Sequence, residues 1–349
     1  MATITVVGAG MMGSALCVPL IDRGHRVRLV GTPLDETIIS ELKAGRRHPG
    51  LKLGLPLEIE PFPASELAVA LRGAEAVALG VSSAGIPWAA QTLGPLLDPE
   101  LSVLMVTKGL VWNDPALKTL PDSLQDQWPE ALRGISPVAV AGPCIAGELA
   151  RRVDTCVLFA GRDARSRERW AELARGPYYR VFPTADVAGA EVCAALKNAY
   201  AMAVGFGMGL HDKSGGTPGS VAMHNHEAAV FAQSIVEMQR VVRLVGGDPS
   251  HAAGLAGAGD LNVTCNGGRT GRFGRLLGQG LSLEQAIAAM QGATLECLEI
   301  LGVMARALEG FDARAATEPS DLPLLRHLIE VSRGAPVNVP FEKFFTDRR

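Results

Sequence analysis

A glycine-rich run close to the start of the chain limits the possible folds more than any other feature. The apolar residues Ile4–Val7 are typical of a strand, and Gly8-Ala9-Gly10-Met11-Met12-Gly13 follows them and opens a helical pattern. In this context Gly8 permits a tight turn, Gly10 lets the backbone approach a pyrophosphate, and Gly13 lets the helix lie close to the strand. N–H groups at the helix N-terminus would face the phosphates. The run predicts a dinucleotide-binding turn; an ordinary strand-to-helix turn is the alternative.

The second apolar run, Val27–Val30, bears on the choice of cofactor. A binding site for NAD usually has an acidic residue at the end of this strand, which holds the ribose 2′-hydroxyl. Here the strand ends in Gly31-Thr32-Pro33, and Asp35 and Glu36 come slightly late, where they are equally suited to begin the next helix. Arg46 and Arg47 are near enough to reach the pocket, although a solvated surface role is the simpler interpretation. The sequence therefore leaves the cofactor as NAD or NADP.

The first half of the chain alternates short apolar runs with helical patterns. The strand candidates are Ile4–Val7, Val27–Val30, Ala76–Val81, Val103–Thr107, Val138–Ala141, Thr155–Ala160 and Tyr179–Phe182. Helical patterns lie near residues 12–23, 34–44, 64–72 and 86–97. This alternation predicts an α/β fold in which a doubly wound parallel sheet carries helices on both faces. The last two runs are expected at the edge of the sheet.

From about residue 188 the strand-like runs give way to long helical patterns rich in Ala, Leu and Met. These patterns cover residues 188–208, 219–245, 281–290 and 293–310. We therefore expect a dinucleotide-binding domain over residues 1–187 and an all-helical, substrate-binding and catalytic domain over residues 188–349. The last residues, Phe341–Arg349, are expected to form a poorly ordered tail.

Composition excludes several classes of protein. The 349 residues carry a net charge of −3, so no basic excess indicates a nucleic-acid or membrane surface. No apolar stretch approaches the roughly 20 residues of a membrane span, and the N-terminus lacks the features of a signal peptide. None of the six cysteines stands in a CxxC pair, which favours free thiols in a reducing cytoplasm. They are Cys17, Cys144, Cys156, Cys193, Cys265 and Cys297.

A lysine in an apolar helical pattern is the first candidate for chemistry. Residues 187–209 are apolar on all faces apart from Glu191, Lys197 and Asn198, and a helix of this kind is buried. A desolvated lysine loses its proton more easily and suits acid–base catalysis near neutral pH, unless it finds an acidic partner elsewhere. The alternatives are a lysine that reaches the surface with its ammonium or forms a structural ion pair.

The candidate partner of Lys197 is Asp260, which follows the glycine-rich segment 254–259. Glycines let this backbone pack close to another element, and Thr264 lies one helical turn later on the same face. An aspartate that only caps a helix is the common alternative.

Two strand ends carry further candidates. Lys108 follows Val103–Thr107, and Gly142 and Cys144 follow Val138–Ala141. Ligands of open parallel sheets bind at the carboxyl ends of strands, so these residues would border the cofactor crevice. Cys144 has no recognisable histidine partner in the sequence and is interpreted as a packing residue rather than a nucleophile.

The segment Gly267-Gly268-Arg269-Thr270-Gly271-Arg272 is the best candidate for phosphate binding. Its glycines free backbone N–H groups and Arg269 supplies a bidentate guanidinium, although a solvated loop is the alternative. His224 and His226 have the spacing of a metal pair, but no third ligand is evident. A polar loop or helix start is favoured there, and no metal is expected.

Together the motifs resemble the NAD(P)-dependent glycerol-3-phosphate dehydrogenase family. After the turn Gly8–Gly13, the family order continues through Thr107-Lys108-Gly109, Gly142-Pro143-Cys144-Ile145-Ala146-Gly147-Glu148, Ala195-Leu196-Lys197-Asn198, Gly257-Ala258-Gly259-Asp260-Leu261 with Thr264-Cys265, Gly268-Arg269, Arg272-Phe273-Gly274 and Gly278-Gln279-Gly280. The resemblance runs from residue 3 to about residue 310. These motifs in the same order are far more specific than any one of them.

The resemblance implies a Rossmann domain followed by a helical domain like that of 6-phosphogluconate dehydrogenases. It implies hydride transfer between sn-glycerol 3-phosphate and NAD or NADP in a cytoplasmic homodimer, with Lys197, Asp260 and Lys108 as catalytic residues and Lys197 as the proton acceptor. The implied substrate-binding residues are Lys108, Gly142, Cys144, Asn198, Asp260, Thr264, Arg269 and Thr270. The implied cofactor-binding residues are Gly8, Gly10, Met11, Met12, Gly13, Thr32, Lys108, Ala146, Arg269 and Glu296.

Four departures from the family pattern surround the substrate end. Cys144 replaces a serine or threonine, and Thr270 replaces an asparagine beside the phosphate. Glu227 stands where the family has a lysine, and Gln233 stands near the position of a following arginine. These changes admit a related longer polyol phosphate or another 2-oxo compound as substrate. A cofactor-binding regulator without catalysis is the alternative from another class.

Overall fold

The computed structural model describes residues 1–45, 47–217, 223–266, 268–314 and 321–345. The chain forms two compact units, one made of residues 1–108 and 119–187 and the other of residues 109–118 and 188–349. Arg46 and Gly267, named above as candidates, lie outside the described residues, as do the last four residues of the predicted tail.

Ten strands occur in the described ranges, and eight of them form one sheet in the first unit. They are β1 Thr3–Val7, β2 Arg26–Val30, β3 Glu60–Phe62, β4 Ala76–Leu79, β5 Ser102–Met105, β6 Leu110–Asn113, β7 Ala116–Thr119, β8 Val138–Ala141, β9 Thr155–Ala160 and β10 Tyr179–Thr184. The order in the large sheet is β10-β9-β8-β5-β4-β1-β2-β3. All neighbours in it are parallel except β8 and β9, which pair antiparallel through residues such as Val140 and Phe159.

The helices of the first unit connect these strands. They are α1 Met11–Asp22, α2 Glu36–Lys43, α3 Leu67–Leu71, α4 Ile86–Leu93, α5 Leu120–Gln127, α6 Ala146–Leu149 and α7 Ala164–Ala174. Helix α7 shows why such segments fold as helices, because the Asp163 side chain accepts a hydrogen bond from Ser166 N at 2.7 Å and caps the first turn. The same helix buries Trp170 in the core of the unit. The predicted α/β fold with a doubly wound sheet is confirmed.

The strand order reverses beside β1. From β1 the chain proceeds to β2 and β3 on one side, and then returns to β4 and β5 on the other. In open α/β sheets the crevice at such a reversal, outside the carboxyl ends of the strands, is where ligands bind. The glycine-rich turn leaves β1 at this point.

Eight helices are described in the second unit: α8 Val187–Lys213, α9 His224–Leu244, α10 Ser250–Ala253, α11 Asp260–Cys265, α12 Arg269–Gly278, α13 Leu283–Ala289, α14 Glu296–Ala313 and α15 Pro323–Val331. Glycines bring α8 and α12 into backbone contact. A Cβ on Gly205 would lie 2.4 Å from Gly271 O, and one on Gly274 would lie 2.0 Å from Met202 O. No side chain fits at these two positions, which gives the glycines of the segment 271–278 a packing role.

Strands β6 and β7 pair only with each other and belong to the second unit, which is otherwise helical. Trp112 of β6 packs edge-on against Phe311 of α14 with ring centroids 6.0 Å apart, and Gly310 leaves room for the indole. The division at residues 187 and 188 expected from the sequence did not include this pair of strands. The end of the chain also differs from the expected tail, because Phe341–Lys343 forms a short 3₁₀ helix and Phe344 is buried.

Candidate functional site

The turn between β1 and α1 is closed by direct backbone contacts. Gly8 has φ 109°, and a Cβ there would lie 2.7 Å from the carbonyl carbon of Gly80, which follows β4. A Cβ on Gly13 would lie 2.1 Å from Gly8 O. Of the three fingerprint glycines, Gly8, Gly10 and Gly13, two are therefore required by packing at the strand reversal. Gly80 completes this contact and was not identified from the sequence, because a single glycine after an apolar run carries no distinctive pattern.

The third glycine leaves the backbone open. No atom lies within 4 Å of a Cβ built on Gly10, and no side chain caps the N-terminus of α1 that follows it. Uncapped N–H groups at a helix N-terminus bind anions, and the bare backbone at Gly10 permits close approach. These residues fit the pyrophosphate of a dinucleotide. Met11 is 44% exposed beside the opening, whereas Met12 is packed partly against the core.

The acidic residues after β2 separate into two roles. Asp35 is buried and its Oδ2 accepts hydrogen bonds from Ala9 N, Thr32 N and Thr32 Oγ1. Glu36 begins α2 and is exposed. Together with Thr32 and Lys43, it lines a cavity of about 250 Å³ beside the ends of β2 and β3.

Lys108 and Gly142 meet at the carboxyl ends of β5 and β8. Lys108 Nζ donates to Gly142 O over 3.2 Å, and Gly142 has φ 116°, which only glycine adopts without strain. Cys144 is half-buried and packs against the core, in agreement with its interpretation as a packing residue. Ala146 begins α6. The first unit thus brings these predicted residues to the same edge of the sheet as the glycine-rich turn.

In the second unit, Lys197 lies in a polar cluster within an apolar helix. Its Nζ lies 2.7 Å from Asp260 Oδ1 and 2.9 Å from Thr264 Oγ1, and the Thr264 hydroxyl donates to Asp260 O over 2.7 Å. The side chains of Lys197 and Asp260 are 12% and 2% exposed. Most of the Lys197 side chain is therefore buried, and the carboxylate that balances its charge is the one expected from the sequence.

A π-helical turn over Leu255–Gly259 places Asp260 at the first position of α11. Gly257 is required in this turn, because a Cβ there would lie 2.1 Å from Ala252 O. Gly259 is the N-cap residue of α11, and the Asp260 carboxylate bonds to Lys197 instead of capping the helix. The alternative of a purely capping aspartate is therefore wrong.

A second polar group connects Asn198, Glu296 and Arg269. Asn198 Nδ2 donates to Glu296 Oε2 over 3.2 Å, and Arg269 Nη2 lies 3.6 Å from Glu296 Oε1. Arg269 begins α12, whose N-terminus has no side-chain cap, and half of its side chain is exposed. The neighbouring Thr270 is buried. An exposed guanidinium beside free N–H groups is suited to an anion.

Two of the residues that depart from the family pattern form hydrogen bonds within the second unit. Gln233 is buried; its Nε2 donates to Glu237 Oε1 over 2.9 Å and its Oε1 accepts from Phe345 N over 3.1 Å. Glu227 accepts from His224 Nδ1 at 3.4 Å in the first turn of α9.

The His226 ring packs edge-on against Phe341, and burial lowers the pKa of His226. In the part of the chain that the structure describes, no three His, Cys, Asp or Glu side chains are grouped to hold a metal.

None of the six cysteines forms a disulfide bond. Burial raises the pKa of Cys265 and of Cys297 to about 12, so both thiols stay protonated at neutral pH. Within the described ranges, no helix is both long and apolar enough to cross a membrane.

The sheet, its strand reversal and the glycine-rich turn define a dinucleotide-binding oxidoreductase of the Rossmann type with a helical second unit. Family models for the N-terminus and the C-terminus of NAD-dependent glycerol-3-phosphate dehydrogenase match residues 3–166 and 186–336. The chain belongs to the NAD-dependent glycerol-3-phosphate dehydrogenase family.

Individual relatives agree with this membership. The NADP(+)-dependent glycerol-3-phosphate dehydrogenase of Archaeoglobus fulgidus is 37% identical over 82% of this chain and 83% of its own length. The glycerol-3-phosphate dehydrogenase [NAD(P)+] of Bacillus cytotoxicus is 33% identical over 83% and 81%. The crystal structure of glycerol-3-phosphate dehydrogenase from Coxiella burnetii superposes with a TM-score of 0.77 at 26% identity, over 95% of this chain and 94% of that one.

Proposed function

We propose that this chain catalyses the NAD(P)-dependent interconversion of sn-glycerol 3-phosphate and dihydroxyacetone phosphate. The observation that carries the proposal is the Lys197 side chain, which is 12% exposed and holds its ammonium between the Asp260 carboxylate and the Thr264 hydroxyl. A lysine held at a fixed place and shielded from water is suited to accept or give a proton. The names of the relatives support the choice of substrate.

In the oxidative direction Lys197 acts as the neutral amine: its Nζ accepts the proton of the substrate C2 hydroxyl and becomes the ammonium, while the C2 hydrogen leaves with its electron pair. The C2–O bond thereby becomes a carbonyl. The bound nicotinamide supplies the hydride acceptor. In the reductive direction, protonated Lys197 returns the proton to the carbonyl oxygen. Asp260 holds the lysine in position and balances its positive charge, and Thr264 orients the ammonium from the other side.

Arg269 and the uncapped N-terminus of α12 hold the substrate phosphate, with Thr270 in place of the usual amide donor. Asn198 and Glu296 position this end of the site through their mutual hydrogen bond. In the first unit, Gly8, Gly10 and Gly13 accommodate the pyrophosphate. Lys108, Gly142, Cys144 and Ala146 border the nicotinamide end. Thr32 and the cavity beside it accept the adenosine end.

Initial rates with dihydroxyacetone phosphate against NADH and NADPH test the proposal. We expect Lys197→Ala to lower turnover by at least about 10²-fold, the lower end of what a positioned acid–base group contributes. Lys213→Ala is the matched control, since Lys213 is an exposed lysine at the last position of the same helix. Turnover of Lys197→Ala close to that of the wild type would overturn the proposal.

The departures at Cys144 and Thr270 make a related substrate the second candidate. A panel of longer polyol phosphates and 2-oxo compounds, assayed beside dihydroxyacetone phosphate, distinguishes the two. A chain that binds NAD(P)H but oxidises it with no compound of the panel would instead be a regulator. We also propose a cytoplasmic homodimer; six cysteines without a disulfide support a reducing compartment, and light scattering measures the oligomeric state.

A further inference from the structure

We propose that Asp35 and His48 are positioning residues for the cofactor. Together they bind the backbone N–H and the carbonyl of Ala9 and hold the glycine-rich turn in the conformation that cofactor binding needs; this arrangement is called the clamp. The inference rests on the proposed function, since it concerns the binding of NAD(P)H to that turn. Neither residue belongs to the turn; Asp35 precedes α2, and His48 lies in the loop after α2. Ala9 itself is fully buried between the first two fingerprint glycines.

Asp35 holds the N–H side of this residue. Ala9 N donates to Asp35 Oδ2 over 3.1 Å, and the same oxygen accepts from Thr32 N and Thr32 Oγ1, each at 2.8 Å. Gly31 provides the space, because a Cβ there would lie 3.2 Å from Asp35 Cβ. The carboxylate therefore connects the end of β2 to the turn after β1.

His48 holds the carbonyl side. Its Nδ1 lies 3.1 Å from both Gly50 N and Leu51 N, which can only donate. The Nδ1 atom of the neutral ring is therefore the acceptor, and the proton is on Nε2. Nε2 lies 3.0 Å from Ala9 O and donates to it, and Ser14 Oγ donates to the same carbonyl over 3.0 Å. His48 is 1% exposed, so these bonds are not replaced by bulk water.

The clamp changes the role expected for the acid after β2. An acid that reads the ribose 2′-hydroxyl must present its carboxylate to the cofactor, whereas Asp35 is buried and its Oδ2 is used by three donors of the protein. We infer that Asp35 stabilises the turn for either cofactor and does not choose between them. The choice between NAD and NADP then depends on the cavity beside Asp35, which Thr32, Glu36 and Lys43 line.

The two roles predict different results for Asp35→Ala. Fluorescence titration of the full-length protein gives the Kd for NADH and for NADPH. If Asp35 clamps the turn, both Kd values rise at least about tenfold and their ratio stays within about twofold of the wild type, because the buried charged hydrogen bond to Ala9 N is lost for both cofactors alike. If Asp35 reads the ribose, NADH binding weakens while NADPH binding improves. His48→Ala is expected to weaken binding of both cofactors in the same way.

His25→Ala is the matched control. Like His48, His25 is a histidine bonded to backbone through both ring nitrogens, with Nδ1 accepting from Ala2 N at 3.2 Å and Nε2 lying 3.0 Å from Leu173 O. It is half-buried and stands at the amino ends of the strands. Its substitution is expected to lower the melting temperature and to leave both Kd values unchanged. His48→Gln, which keeps a donor for Ala9 O, is expected to recover part of the affinity.

The Kd values of these variants either support the clamp or overturn it. Unchanged Kd values in Asp35→Ala and His48→Ala, or a changed NADH-to-NADPH ratio in Asp35→Ala, would overturn the clamp. If the alanine variants do not fold, the same measurements apply to Asp35→Asn and to His48→Phe, which has no donor for Ala9 O. A wild-type chain that binds neither cofactor would refute the proposed function itself, which separates that failure from failure of the clamp.

Discussion

Lys197 Nζ lies 2.7 Å from Asp260 Oδ1, although the two residues are separated by 63 positions in the chain. Both side chains are nearly buried, so each charge depends on the other for compensation. Such a pair can serve stability, catalysis or both. Variants that remove one charge or both charges distinguish these roles.

Asp260→Ala should destabilise the fold by about 3–5 kcal/mol, because the buried ammonium loses this carboxylate. The double variant Lys197→Met with Asp260→Ala should recover much of that stability, since neither charge remains. It should nevertheless stay inactive, because the proton acceptor is missing. Urea unfolding and initial rates measure the two properties. A double variant that regained turnover would contradict the proposed role of Lys197.

The fingerprint glycines should respond differently to a methyl group. Gly13→Ala should cost about 1–3 kcal/mol of stability, because the new Cβ would lie 2.1 Å from Gly8 O. Gly10→Ala should fold with nearly normal stability, because nothing lies within 4 Å of its Cβ. It should still raise the Kd for NAD(P)H at least about tenfold by keeping the pyrophosphate from the backbone. Thermal unfolding and fluorescence titration report the two effects, and equal behaviour of the variants would contradict the assignment.

Glycines that join α8 to α12 should be intolerant of substitution. Gly205→Ala and Gly274→Ala should each destabilise by about 1–3 kcal/mol, because their Cβ atoms would lie 2.4 Å and 2.0 Å from backbone oxygens of the facing helix. Gly302→Ala is the control, since Gly302 lies inside α14 with nothing within 4 Å of its Cβ. That substitution should stabilise by up to about 1 kcal/mol through helix propensity. Denaturant midpoints check all three.

Glu237 should give stability a dependence on pH. This fully buried carboxyl accepts bonds from Gln233 Nε2, Tyr200 Oη, Leu324 N and Leu325 N, yet burial raises the pKa of Glu237 to about 7. The folded chain therefore holds its proton more tightly than the unfolded chain. The contribution of Glu237 to stability is fully present below pH 4.5, the ordinary pKa of a glutamate. It is lost as the pH rises from there to about 7, by at most about 3 kcal/mol.

Glu237→Gln removes this titration. The difference in free energy of unfolding between this variant and the wild type should shift in favour of the variant between pH 5 and about pH 8. A difference that stays constant across this interval would show that Glu237 does not titrate there.

The sequence predicted the strands of the large sheet where they are apolar and continuous. It missed β3, whose Glu60-Pro61-Phe62 is short and has no apolar run, and it missed α7, whose surface is mostly charged. It also predicted the pairing of Lys197 with Asp260, because a glycine-rich segment before an acid indicates close packing. No sequence pattern indicated the hydrogen bonds of Asp35 and His48 to Ala9, because their partners are backbone atoms, which are the same in every residue type.

The pair of strands β6 and β7 bears on how this protein can be divided by engineering. The chain leaves the first unit after Lys108, returns to it at Thr119 and leaves it again after Val187. A fragment that ends at residue 187 would keep Trp112 but lose Phe311 and Gly310, on which the indole rests, and would carry a bare aromatic surface prone to aggregation. A chimaera that exchanges the helical unit with that of a relative must transplant residues 109–118 as well.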